Sequence, residues 1–213
     1  SPAYTVLWAS GSVWLESLTA GTRYARALRI GLCFLIIFVL IALMPLAVPL
    51  LPVEKFIPYS RALGFEPSSN EGKEVSALPQ FYADMFGWKE KAASVAAVYN
   101  ALPEADREKC AIFGNNYGRC GAIDYYGKAY GLPKAIGNHN NYWVWGPRHY
   151  TGEVVIIMGG SYEDHVESFE TVELAAVSGC DYCMPYEDDM KIFLCRGLKA
   201  RLSDVWSTEK HYD

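Results

Sequence analysis

Two segments of the chain combine residue types that suit ligand chemistry. The first is Gly114-Asn-Asn-Tyr-Gly118. It follows a short apolar run, Cys110-Ala-Ile-Phe-Gly114, and precedes a helical stretch from Arg119 to Tyr130. In open α/β sheets, ligands bind beside the carboxyl ends of strands. Asn115 and Asn116 tolerate unusual backbone angles and can cap the helix that follows, and Tyr117 adds an aromatic face. The glycines do not match the dinucleotide fingerprint, and there is no Gly-Lys-Ser or Gly-Lys-Thr of a phosphate loop. A plain capped turn fits the same residues.

The second segment runs from Asn138 to Tyr150. His139, Asn140, Tyr142, Trp143 and Trp145 stand there among further amides, a second histidine and an arginine. Flat aromatic faces beside amide donors and acceptors suit a polar ligand with an apolar face, such as a sugar. His139 can titrate near neutral pH, although a lone loop histidine more often serves structure. Asp124, on the helix after the first segment, lies toward the same end of the sheet. It can orient an Asn or Arg there, or act as a solvated or capping acid. The competing reading of the whole segment is a loop packed over the sheet edge. If the two segments meet, they form one concave face.

The six cysteines add little by themselves. Cys180-Asp-Tyr-Cys183 has the two-residue spacing of metal and redox sites. Only Cys195 and His165 offer themselves as further ligands, so no metal is expected. No cofactor is expected either. Outside the cytoplasm a disulfide is open to this pair. A Cys110–Cys120 bridge is not, because one residue opens a strand and the other the helix beyond it.

Positioning elements can be read around these segments. Phe81 to Leu102 predicts a helix, and Val154 to Met158 predicts a buried strand bounded by Gly152 and Gly159-Gly160. Tyr162 to Phe169 predicts a short helix, Thr171 to Val177 and Lys191 to Cys195 predict strands, and Leu198 to Trp206 a last helix. Strands alternating with helices predict an α/β domain with a mostly parallel sheet. The stretch from Pro58 to Pro79 reads as a linker or strap.

The strongest single signal lies upstream. No charge occurs from Ile30 to Val53, and about 20 apolar residues cross a hydrocarbon core of about 30 Å. Pro45, Pro49 and Pro52 should kink or end that helix. The earlier apolar stretch, Pro2 to Leu15, reads as the tail of another membrane helix or as an interfacial one. Between them lie Glu16 and then Arg23, Arg26 and Arg29, a net basic link. Short basic loops stay cytoplasmic, which places the later residues outside the cytoplasm. The expected organisation is therefore 1–29, a helix end and cytoplasmic loop; 30–53, a transmembrane helix; 54–80, a linker; and 81–213, an extracytoplasmic α/β domain.

Of the chain's 19 Lys and Arg and 24 Asp and Glu, all but three and one fall in residues 54–213, a net charge of −7 there. That balance argues against a nucleic-acid partner, which wants a basic stripe. It also argues against a polybasic lipid-binding surface.

Several stretches together resemble the C-terminal end of bacterial membrane glycosyltransferases of family 39, the GT-C enzymes of the dolichyl-phosphate-mannose and aminoarabinose transferase type. They are Ser1-Pro-Ala-Tyr4, Leu51-Pro-Val-Glu54, Leu78-Pro-Gln-Phe-Tyr-Ala-Asp84 with Phe86-Gly-Trp88, Ala111-Ile-Phe-Gly-Asn-Asn-Tyr-Gly118, Ala122-Ile-Asp124, Tyr130-Gly-Leu-Pro133, His139-Asn140, Tyr142-Trp143 with Trp145-Gly-Pro147, Met184-Pro-Tyr-Glu187 and Cys195-Arg-Gly197. The resemblance implies a bacterial inner-membrane enzyme that moves a sugar from a polyprenyl-phosphate carrier to an extracytoplasmic acceptor. Membrane lipid, the carrier sugar and the acceptor are then the expected partners. The resemblance places the catalytic acid in a first outside loop that these residues do not include, so it assigns no catalytic residue here.

Overall fold

The computed structural model describes residues 2–212. The chain forms two compact units, one ending at Phe65 and the other starting at Glu66.

The first unit is helical: α1 (Pro2–Thr19), α2 (Ala25–Ala47) and α3 (Val53–Ala62). Helix α2 holds 23 residues and buries none of them. At about 1.5 Å per residue it is roughly 35 Å long, enough for a hydrocarbon core of about 30 Å. Among the described residues it is the one helix long and apolar enough to cross a membrane. It starts earlier than the charge-free run, at Ala25, and stops earlier, at Ala47. Pro45 sits in its last turns, where few backbone donors remain to be lost, and Val48 is already extended. Helix α3 begins directly after Pro52 and carries Pro58 inside it, so the expected linker opens with a helix. The Tyr59 hydroxyl donates to the Ala42 carbonyl and ties α3 to α2.

The second unit is built from α4 (Gln80–Ala83), α5 (Trp88–Ala101), α6 (Glu104–Arg107), β1 (Cys110–Gly114), α7 (Tyr117–Tyr126), β2 (Ile136–Gly137), α8 (Asn141–Val144), β3 (Val154–Met158), α9 (Tyr162–Ser168), β4 (Phe169–Ser178), β5 (Met190–Leu198) and α10 (Leu202–Val205). The single helix expected over 81–102 is two, because Gly87 between them adopts φ +84°. The last helix is shorter than expected, because β5 extends through Leu198.

The five strands form one mixed sheet in the order β2-β1-β3-β5-β4. This corrects the expectation of a mostly parallel sheet. β1 pairs in parallel with β2 and β3, but the β3–β5 pairing and the longest one, β4–β5, are antiparallel. A parallel return needs a crossover of a dozen or more residues, usually a helix. Between β4 and β5 the chain has only the loop 179–189 with one tight turn at Pro185–Glu187, so it folds straight back. β4 is the sheet edge, and half of its ten residues are exposed.

Alternation along the strands divides the core in two. Cys110, Ile112, Ile156, Met158 and Ile192 point toward Ala92 and Val95 of α5 and Ile123 of α7. Ala111, Val155, Ile157, Phe193 and Cys195 point the other way, toward Phe169 and Trp206.

Candidate functional site

The site grows from the carboxyl ends of β1 and β2. Phe113 stands opposite Ile136 and Gly114 opposite Gly137, in parallel. Both chains therefore leave the sheet side by side, and Asn115 and Asn138 emerge together. Two glycines permit this. A Cβ on Gly137 would lie 2.5 Å from the Cys120 sulfur and 2.6 Å from the Gly114 carbonyl oxygen. Cys120 fills the space instead, its thiol bonded to the carbonyls of Gly114 and Ile136 at 3.4 Å each. Burial pushes that thiol up to about 12.

The turn after β1 is held from behind by charges that the sequence did not reveal. Asn116 caps α7 by accepting from the Arg119 backbone N–H at 2.8 Å, and its Nδ2 donates to Glu187 at 3.4 Å. The Arg119 guanidinium donates to Asn115 Oδ1 at 2.6 Å, to the Met158 carbonyl at 2.9 Å and to Glu187 at 3.0 Å. Lys91 Nζ lies 3.0 Å from the other Glu187 oxygen and 4.7 Å from the centre of the Trp88 ring. That Lys91 contact is one of charge rather than of hydrogen-bond alignment. Lys91, Glu187 and Arg119 are 1%, 4% and 7% exposed. Two buried cations thus share one buried carboxylate, an arrangement that survives only while the carboxylate stays in place. Gly159, at φ +92°, lets Arg119 pass, since a Cβ there would sit 2.2 Å from Nη1.

The second segment enters from β2. His139 is buried, with Tyr117 edge-on at 5.0 Å and His211 at 4.9 Å between ring centres. The C-terminal segment runs alongside in a short parallel bridge: Asn140 N–H donates to the His211 carbonyl, and His211 N–H donates to the Asn138 carbonyl. Asn140 itself takes φ +50°, a conformation that costs free energy for any residue but glycine and gathers at functional sites. The Tyr117–His139 contact shows that the two segments meet.

The aromatics that follow do not share one face. Tyr142 turns toward the α7 side, where its hydroxyl donates to Asp124 at 3.1 Å. The other Asp124 oxygen accepts from the Ala135 backbone N–H at 2.8 Å. Asp124 is therefore neither a solvated acid nor a partner of an Asn or Arg; it orients Tyr142. Burial and then the Asp124 carboxylate hold the Tyr142 phenol far above its usual range. Trp145 packs edge-on against Tyr142 at 4.8 Å and is 56% exposed. Trp143 goes to the opposite side of the sheet. Its indole N–H donates to the Trp206 carbonyl at 2.8 Å, and the Trp206 indole donates back to the Trp143 carbonyl at 3.0 Å.

On that opposite side lies a cavity of about 520 Å³. Phe113, Ile157, Phe169 and Leu198 form its apolar wall, and Asn115 and Asn138 reach it from the strand ends. The Asn138 Oδ1 is buried with no hydrogen-bond partner in the structure. Such an acceptor favours a ligand that brings a donor. Of the expected site residues, Asn115 alone lines this cavity.

Sequence reasoning missed Lys91, Arg119, Glu187 and His211, and placed Asn138 in the second segment without singling it out. One signal was available for Lys91: it precedes Ala92 and stands four residues before Val95, both in the core. Arg119 and Glu187 carried no comparable mark. Comparison with known protein families, with curated proteins and with solved structures finds no match to this chain.

Proposed function

We propose that this chain is the C-terminal part of a membrane glycosyltransferase that moves a sugar from a polyprenyl-phosphate carrier to an acceptor outside the cytoplasm. One observation carries the reading. An amide turn and an aromatic loop converge at the carboxyl ends of β1 and β2, in a chain that also holds a helix of membrane-spanning length. The residues that converge belong to the stretches on which the family resemblance rests. Asn115, Tyr117, Asn140 and Trp145 are the groups offered to the acceptor or to the carrier sugar. Asn116, Asp124, His139, Tyr142 and Trp143 hold that rim in shape. The chain contributes recognition, or caps the membrane part, and performs no transfer by itself.

The test is transfer from a polyprenyl-phosphate sugar in membranes, with the longer enzyme intact or lacking residues 54–213. Loss of transfer on truncation, and none by the purified chain, is expected; turnover by the purified chain overturns the reading. Orientation has its own test. A cysteine at Ser161 should react with an impermeant maleimide on intact cells, and reaction only after permeabilisation overturns the topology.

A non-catalytic binding module is the second reading. The cavity with its buried Asn138 acceptor favours it. Full transfer activity without residues 54–213, with a ligand still held by the chain, would select it.

A further inference from the structure

We propose that Cys180 and Cys183 form a reversible dithiol–disulfide site whose closure fixes the loop that carries Glu187. The two residues lie in the connection between β4 and β5, which makes a tight bend at 181–183. The Cys183 thiol donates to the Cys180 carbonyl at 3.3 Å, so the bend folds one cysteine back over the other. Their exposures differ: Cys183 is 4% exposed, and Cys180 is half-buried. That asymmetry suits a pair in which the outer sulfur meets a partner and the inner one resolves it. The remaining cysteines of the second unit, Cys110, Cys120 and Cys195, are fully buried in or against the sheet. Among the described residues no group of three Cys, His or acidic side chains gathers as metal ligands.

A cation stands beside the pair. A Cβ on Gly87 would lie 2.9 Å from the Cys180 sulfur and 3.2 Å from Lys91 Nζ, so sulfur and ammonium face the same small gap. Burial, followed by the neighbouring Cys180 thiol, pushes Cys183 up to about 12. Glu187 follows four residues later in the same loop and neutralises both Lys91 and Arg119. The pair therefore borders the buried ion cluster that holds the Asn115–Asn116 turn.

The oxidant required is a small or protein disulfide. Cys180 thiolate attacks one sulfur of that disulfide, forms a mixed disulfide and releases one thiolate. Cys183 then gives up its proton to that thiolate and attacks the Cys180 sulfur. The second thiol of the oxidant leaves, and the Cys180–Cys183 bond remains. Two protein thiols are oxidised and one disulfide is reduced to two thiols.

The experiment uses the full chain in detergent micelles, glutathione disulfide as oxidant, and tryptic mass mapping. Cleavage after Arg148 and Lys191 gives one peptide, 149–191, that holds both cysteines and no others. That peptide should lose two hydrogens, regain them with dithiothreitol, and close several-fold faster in the folded chain than in urea. Cys183→Ser should trap glutathione on Cys180, whereas Cys180→Ser should leave Cys183 unmodified. A folded chain that stays reduced where the unfolded chain oxidises, or glutathione trapped on Cys183 instead, overturns the site. Closure should also raise the unfolding temperature, and less so in Glu187→Gln. An equal midpoint in both redox states overturns the link to the loop.

Discussion

Trp143 and Trp145 are two residues apart and live in different worlds. Trp143 is pinned to Trp206 by a reciprocal pair of hydrogen bonds and packs on the Phe193 side of the sheet. Trp145 is more than half exposed and meets Tyr142 edge-on. The same contrast separates the two segments of the site. Behind Asn115 and Asn116 nearly every polar group is paired and buried, so that turn is held rigid. The aromatic loop instead rests on ring contacts, the Asp124–Tyr142 hydrogen bond, the reciprocal Trp143–Trp206 bonds and a bridge to the C-terminal segment. Both regions contribute to the rim, Asn115 and Tyr117 from the turn locked by buried charge and Asn140 and Trp145 from the loop held by ring contacts and single hydrogen bonds.

The largest expected effect breaks the rigid side. Glu187→Ala leaves two buried cations without a counter-charge and should cost about 3–5 kcal/mol in denaturant unfolding. A loss below about 1 kcal/mol would show that water reaches the cluster and that the turn is not locked. Next comes the glycine contact. Gly137→Ala drives a methyl into the Cys120 sulfur and the Gly114 carbonyl, at a cost of about 1–3 kcal/mol. Cys120→Ala added to it should recover part of that loss.

Asn116→Ala removes the α7 cap and should cost about 1 kcal/mol. A smaller effect tests the looser side. Tyr142 titrates far above the ordinary phenol value of 10.0 because burial and Asp124 disfavour its anion. The folded state thus binds this proton more tightly than the unfolded one. Its contribution to stability is fully present below pH 10 and is lost as pH rises through the folded value. An alkaline tyrosinate titration should show a late-ionising phenol that Tyr142→Phe removes. Its persistence in that variant would assign the signal elsewhere, for instance to Tyr186, which burial also raises to about 12.

Much of the rigid frame was legible before the structure. The runs Cys110–Gly114 and Val154–Met158 are apolar and short, the second bounded by glycines, and each is a strand with the expected limits. The capping role of Asn116 followed from its place between strand and helix. The sheet's sense did not follow, because α9 resembles a crossover helix while the decisive fact is the direct return from β4 to β5. The ion cluster was illegible for a different reason. Its members come from α5, α7 and the loop before β5, and only tertiary packing makes them neighbours. The division of Tyr142 and Trp143 between two faces depends on the single turn of α8, which a cluster of aromatics in sequence does not specify.

The exposed aromatic rim is the part of the account tied to function, and sugar transfer by the longer enzyme with Trp145→Ala tests it most directly. Trp145 is largely solvated, so its loss should change stability by less than about 0.5 kcal/mol. Transfer from the polyprenyl-phosphate sugar should nevertheless fall at least about tenfold, the effect of roughly 1.4 kcal/mol of lost recognition. Unchanged transfer with an unchanged fold would contradict the assignment of this rim to acceptor or carrier binding.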